Sequence, residues 1–114
     1  MILVDTSVWI DHLRKKDLIL SDLLHKEEVC IHPFIIGEIA CGNLVNRNEI
    51  IILLKALPEV VIAIDEEVLQ FIENRRLYGK GLGYIDIHLL ASSLLNNISL
   101  WTKDKRLSTI YNGL

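Results

Sequence analysis

The sequence predicts a single α/β domain, a parallel sheet with helices on both faces, and three observations carry that prediction. Short continuous apolar runs ("MILV", "EVCIH", "VVIAI" and "ISLWT") alternate along the chain with stretches whose apolar residues recur at helical spacing. The runs lack the in-out alternation of a half-solvated strand, so each is expected to be buried on both faces, as parallel strands are. The chain has 114 residues, enough for one core, and no repeat, low-complexity run or linker divides it, so residues 1–114 read as one domain.

"MILV" is the first strand, ending at Asp5. From Thr6 or Ser7 the pattern turns helical, with Val8, Trp9 and Leu13 on one side and Asp11, Arg14 and Lys15 on the other. "DLILSDLLHKE" is a second amphipathic helix, with Leu18, Leu20, Leu23 and Leu24 expected inward, and "EVCIH" is the next strand. Pro33 suits the first turn of the following helix, where its missing N–H would have had no partner anyway; that helix carries Glu38 and ends near Gly42 or Asn43. Another helix runs from about Asn46 to Leu57 and stops at Pro58. "VVIAI" reads as a third strand, with Asp65 capping a helix from Glu66 to about Tyr78. A glycine-rich loop, "YGKGLG", leads into the helix "YIDIHLLASSLLNN"; "ISLWT" is the last clear strand and "KDKRLSTIYN" a short terminal helix.

Several function classes are excluded at this level. The longest apolar stretch, "EIIILLKALPEVVIAI", is cut by Lys55, Pro58 and Glu59 into pieces far shorter than the ~20 residues of a membrane span. "MILVDTS" lacks the basic region and cleavage site of a signal peptide, so a cytoplasmic location with no membrane association is expected. Cys30 and Cys41 have no zinc-site spacing and read as small core residues with reduced thiols; His12, His25, His32 and His88 form no HxxxH pair. The formal charge of −3 argues against binding nucleic acid through bulk positive charge. The mean hydropathy of +0.35 is oily for a small chain and points to apolar surface covered by a second chain.

Four carboxylates break the apolar pattern. Asp5 and Asp104 each follow a strand and open a helix, which puts both along the carboxyl edge of a parallel sheet, where ligand crevices form. Each is equally what a helix N-cap looks like. Asp86 precedes Leu89 and Leu90 by three and four residues and so shares a face with core positions. Glu38 lies in the almost wholly apolar "HPFIIGEIACG" with no cation on its helix face. A carboxylate in such a setting needs a positive partner. Four acids from four separated segments, if they converge, repel one another unless divalent cations neutralise them, and hard ions such as Mg²⁺ or Mn²⁺ take oxygen ligands.

In order and spacing, "ILVDTSVWIDHL", the lone glutamate of "FIIGEIACG", "GLGYIDIHLLASSLL" and "SLWTKDKRL" resemble the PIN-domain ribonucleases, whose small single-domain versions are the VapC-type toxins of toxin–antitoxin pairs. The resemblance runs from Met1 to about Leu107. It implies a three-layer α/β/α sandwich with a central parallel sheet of four to five strands; the chain stops at "YNGL", where longer relatives add a final edge strand, so the fifth strand stays open. It implies metal-dependent hydrolysis of RNA phosphodiesters by an acidic quartet falling on Asp5, Glu38, Asp86 and Asp104, which would hold one or two Mg²⁺ or Mn²⁺ ions. Asp104 or Glu38 would also orient or deprotonate the attacking water. The hydroxyl supporting the first aspartate would be Thr6 or Ser7. Two bound divalent ions would take the formal charge from −3 to about +1, with the gain at the site. Lys80, Lys103, Lys105 and Arg106 are candidates for neighbouring phosphates, or are plain solvated charges. Trp9 and Trp101 read as core rather than as base-stacking rings. A cognate antitoxin with an apolar helix, docking on the leucine-rich helices near residues 18–24 and 46–57, is the expected partner, and a homodimer the second expectation. The competing readings are a non-cleaving PIN-like module that binds RNA or protein, and a housekeeping nuclease without an antitoxin. A receiver-type signalling domain fits poorly, because Asp5 is followed by Thr6 and nothing in that scheme accounts for Glu38.

Overall fold

A computed structural model describes residues 1–114. Its elements run β1 (Ile2–Val4), α1 (Thr6–Arg14), α2 (Leu18–His25), β2 (Val29–Cys30), α3 (Pro33–Ala40), α4 (Arg47–Lys55), α5 (Asp65–Arg75), α6 (Tyr84–Leu95), β3 (Ser99–Trp101) and α7 (Lys105–Asn112). The sheet is parallel with order β2-β1-β3, registered by Leu3 against Cys30 and Leu100. Successive residues of a strand face opposite sides, and Leu3 and Val4 are both fully buried, as are Val29 and Cys30 in effect, so both faces of the sheet are covered. This is the expected α/β architecture, and no helix is long and apolar enough to cross a membrane.

The sheet has three strands, not the four to five expected. "VVIAI" fails as a strand because its backbone finds other partners. One bridge joins Glu59 to Ile31, through the Ile31 amide on the Pro58 carbonyl at 2.8 Å and the Val60 amide on the Ile31 carbonyl at 3.0 Å. One residue further on, the carboxamide of Asn96 takes the place of a partner strand. Its oxygen accepts from the Val61 amide at 3.0 Å and its nitrogen donates to the Val61 carbonyl at 2.9 Å. A side chain satisfies one residue where a strand would satisfy a run, so pairing stops there.

Four smaller expectations also change. Leu18 is exposed, because Asp17 caps α2 through the amides of Ile19 and Leu20 and sets Leu18 outward at the first helical position; Leu20 is the fully buried residue of that helix. Asp65 is the first residue of α5 rather than its cap; its carboxylate accepts the Tyr84 hydroxyl at 3.0 Å. Cys30 is buried but Cys41, at the open end of α3, is exposed. Trp9 is core, whereas Trp101 is only half-buried.

Between α1, α2 and α4 lies an apolar groove of about 310 Å³, walled by Trp9, Leu13, Leu24, Ile50, Leu54 and Leu57. It is where the leucine-rich stretches 18–24 and 46–57 face each other.

Candidate functional site

Asp5 is the residue just past β1. Its amide donates to the Trp101 carbonyl at 2.9 Å, which pins it to the end of β3 at the carboxyl edge of the sheet. It stands at the cap position of α1, yet its side chain makes no cap hydrogen bond. The carboxylate is instead 6 % exposed and held by two hydroxyls, Ser7 Oγ at 2.8 Å and Thr102 Oγ1 at 2.7 Å, both on Oδ2. Oδ1 accepts nothing from the protein. A capping aspartate uses its oxygens on backbone amides; this one keeps an oxygen free.

The same hydroxyls tie α1 to the corner between β3 and α7. Ser7 Oγ accepts from the Lys103 amide at 3.0 Å, and Thr102 Oγ1 accepts from the Asp104 amide at 3.1 Å. Asp104 is a true N-cap, with Oδ1 on the Leu107 amide at 3.0 Å. The cap reading is therefore right for Asp104 and wrong for Asp5. Of the two candidate hydroxyls it is Ser7 that supports Asp5. Thr6 donates instead to Glu38 Oε1 at 2.7 Å, which brings α3 to the start of α1. Thr102 is the residue that sequence reasoning missed; the available signal was a hydroxyl between the last strand and an acid, in "WTKD".

Asp86 lies in the first turn of α6, half-buried, with the Gly83 amide 3.4 Å from Oδ2. Burial raises its carboxyl above the usual carboxylate range, and the charges of Asp5 and Asp104 push the same way against the Gly83 amide. Asp86 thus feels two acids that stand 99 residues apart in the chain. Glu38 joins them through Thr6. It is exposed, so its place in an apolar segment reflects a helix face turned to solvent, and no arginine or lysine neutralises it.

The donor set is oxygen only, as a hard divalent ion requires. No three histidine, cysteine, aspartate or glutamate side chains stand close enough to make a ready-formed ion cage.

A cavity of about 620 Å³ is lined by Asp86 and Asp104 together with Gly81, Lys105 and Arg106; Asp5 and Glu38 are not part of its lining. Lys103 points elsewhere, to Asp11 at 3.0 Å and Asp17 at 3.6 Å across α1, and Lys80 is exposed outside the cavity wall.

A model of the PIN domain family matches residues 2–113. Ribonuclease VapC32 of Mycobacterium tuberculosis, from strain CDC 1551 / Oshkosh and from strain ATCC 25618 / H37Rv, is 46% identical to this chain over 108 residues, covering 94% of this chain and 87% of the relative.

Proposed function

The chain belongs to the PIN domain family, and from that premise we propose that it is a metal-dependent endoribonuclease, the toxin of a toxin–antitoxin pair, that hydrolyses RNA phosphodiester bonds. The observation that carries the reading is the setting of Asp86, whose carboxyl is raised first by burial and further by the charges of Asp5 and Asp104, with no lysine or arginine paired to any of the three. Self-repelling anions are costly to the fold unless a cation pays them back on binding. Asp5, Glu38, Asp86 and Asp104 would hold one or two Mg²⁺ or Mn²⁺ ions. Such an ion, when bound, lowers the pKa of a water and offsets charge on the leaving oxygen.

The remaining work belongs to the chain itself. Ser7 and Thr102 both hold Oδ2 of the Asp5 carboxylate, which leaves Oδ1 without a protein partner, and Thr6 holds Oε1 of Glu38. Asp104 has one oxygen held by the α7 amide and a second to offer. Lys105 and Arg106 supply positive charge in the cavity that Asp86 and Asp104 line, so a polyanion can approach although the chain is acidic overall.

The antitoxin would lay an apolar helix in the groove between α1, α2 and α4, whose apolar lining suits i, i+3, i+4 anchors. Self-association is part of the same reading: Leu94 and Leu95 of α6 and Ile64 and Leu69 near and within α5 are exposed, more apolar surface than a lone small domain usually shows.

Purified protein incubated with structured RNA is expected to cleave it with Mn²⁺ and to stop when EDTA is added. Cleavage that persists in EDTA would sink the metal-dependent reading. A second readout needs no turnover. Mg²⁺ or Mn²⁺ at a hundredfold excess over its Kd should stabilise the fold by about 2.7 kcal/mol, seen as a rise in Tm.

Asp86→Asn should show the opposite face of that coupling. The native-state pKa of Asp86 is raised above its unfolded value, so protonation favours the fold and the carboxylate destabilises it once pH exceeds the native pKa. The asparagine variant is therefore expected to melt higher than the parent in EDTA at neutral pH, to lose that advantage at low pH, and to gain little from added metal. Equal melting of the two proteins at neutral pH would remove the repulsion argument.

A further inference from the structure

Two cations occupy a position that helix electrostatics disfavours. Lys105 and Arg106 are the first two residues of α7, at the positive end of its macrodipole, where a cation is unfavourable. Neither forms an ion pair, whereas Lys103 at the same corner reaches Asp11 and Asp17. Arg106 instead lies back across the glycine loop, donating from Nη1 to the Gly81 carbonyl at 3.2 Å.

Gly81 is shaped to receive it. Its φ is +77°, a conformation side-chain-bearing residues rarely adopt, and a Cβ there would collide with Arg106 Nη1 and come within 2.9 Å of Cζ and 3.1 Å of Cδ. A side chain at position 81 would make the guanidinium shift from this pose. So seated, Arg106 lines the same 620 Å³ cavity as Asp86 and Asp104. One N–H is engaged by the carbonyl, and the rest of the planar fork has no partner in the protein. Two acids and a guanidinium without an ion pair lining one cavity suit a chain of phosphodiesters: one phosphate at the acids, the next on the fork.

We propose that Gly81 and Arg106 form a phosphate seat, in which Arg106 grips the RNA phosphate adjacent to the scissile one and Gly81 positions the guanidinium. The seat rests on the ribonuclease reading and adds to it the group that sets the register of the RNA against the acids. Gly81 touches no substrate; it acts through Arg106.

The test is a double-mutant cycle read by fluorescence anisotropy of a labelled single-stranded RNA, with Ca²⁺ supplied as a hard ion for the same oxygen ligands. Arg106→Gln is expected to weaken binding about tenfold and to lower the slope of log affinity against log salt by about 0.7, the value of one lost phosphate contact on a single strand. Gly81→Ala should weaken binding as well, and the double variant no further than Arg106→Gln alone, because the glycine acts only through the arginine. Arg106→Lys should restore the salt slope while recovering only part of the affinity. Additive losses in the double variant, or an unchanged salt slope in Arg106→Gln, would overturn the seat. Since Arg106 is exposed, its slope measurement stands even if Gly81→Ala folds poorly. An unaltered protein that fails to cleave RNA in Mn²⁺ would overturn the ribonuclease reading beneath the seat, which is a separate result.

Discussion

Asp5→Asn is expected to lower RNA cleavage by about three orders of magnitude, roughly 4 kcal/mol of barrier, while leaving the fold as stable as before or more so. The two effects have one cause. Asp5 is nearly buried and its charge helps to raise the Asp86 carboxyl, so removing that charge relieves the native state while withdrawing an anionic oxygen from the site. Asparagine is close to isosteric, and Ser7 and Thr102 are hydroxyls that can turn to accept from an amide as readily as they donate to a carboxylate. Ser7→Ala and Thr102→Val, which leave the acid but free it to rotate, should cost about 10–100-fold, the usual effect of removing a group that orients a ligand. Initial rates with Mn²⁺, alongside thermal melts in EDTA, measure both quantities. A variant that loses rate and melting temperature together would make Asp5 a structural group, and one that retains the rate would remove it from the chemistry.

The acids were legible in the sequence because each broke a pattern, though not always for the reason the pattern suggested. Asp5 and Asp104 follow strands, and the strand order brings both to the same edge; only coordinates separate the true cap, Asp104, from Asp5, whose side chain leaves the helix amides alone. Glu38 drew notice as a charge in an apolar run, yet it is exposed: the run is apolar on the faces that Ile35 and Ile39 bury, and Glu38 occupies the remaining one. The failure of "VVIAI" as a strand has a cause no local pattern contains, since Asn96, 35 residues away, takes both backbone groups of Val61. Thr102 escaped for the same kind of reason. A hydroxyl after a strand is unremarkable until Asp5, 97 residues distant, is found 2.7 Å from it. Local periodicity specifies elements, whereas contacts that close long loops decide which of their ends carry chemistry.

A second large effect is expected in acid and centres on His32, which caps α3, the helix that carries Glu38. Its side chain is fully buried, and Nδ1 accepts the Phe34 amide at 3.0 Å, so the neutral ring carries its proton on Nε2, which has no partner in the protein. The buried ring of His88 lies 6.1 Å away, centroid to centroid, and Phe34 packs against both. Protonating Nδ1 would charge a desolvated ring and cancel the cap in one step; burial, with a smaller push from His88, holds the His32 pKa down at about 4 from its ordinary 6.5. Because the unfolded chain takes up this proton first, stability is complete above pH 6.5 and drains away as pH falls toward 4, by about 3 kcal/mol in all. Carboxylates titrate in the same range, and Asp86 works in the opposite direction, so the informative quantity is a difference. Urea unfolding at pH 7 and near pH 4, for the parent and for His32→Asn, isolates it: asparagine keeps a capping acceptor without a titrating ring. The variant should be less stable at pH 7, from the cavity it leaves, and should lose clearly less stability on acidification than the parent. Equal losses would mean that His32 is neutral to the acid response and that the start of α3 is held by packing rather than by an uncharged ring.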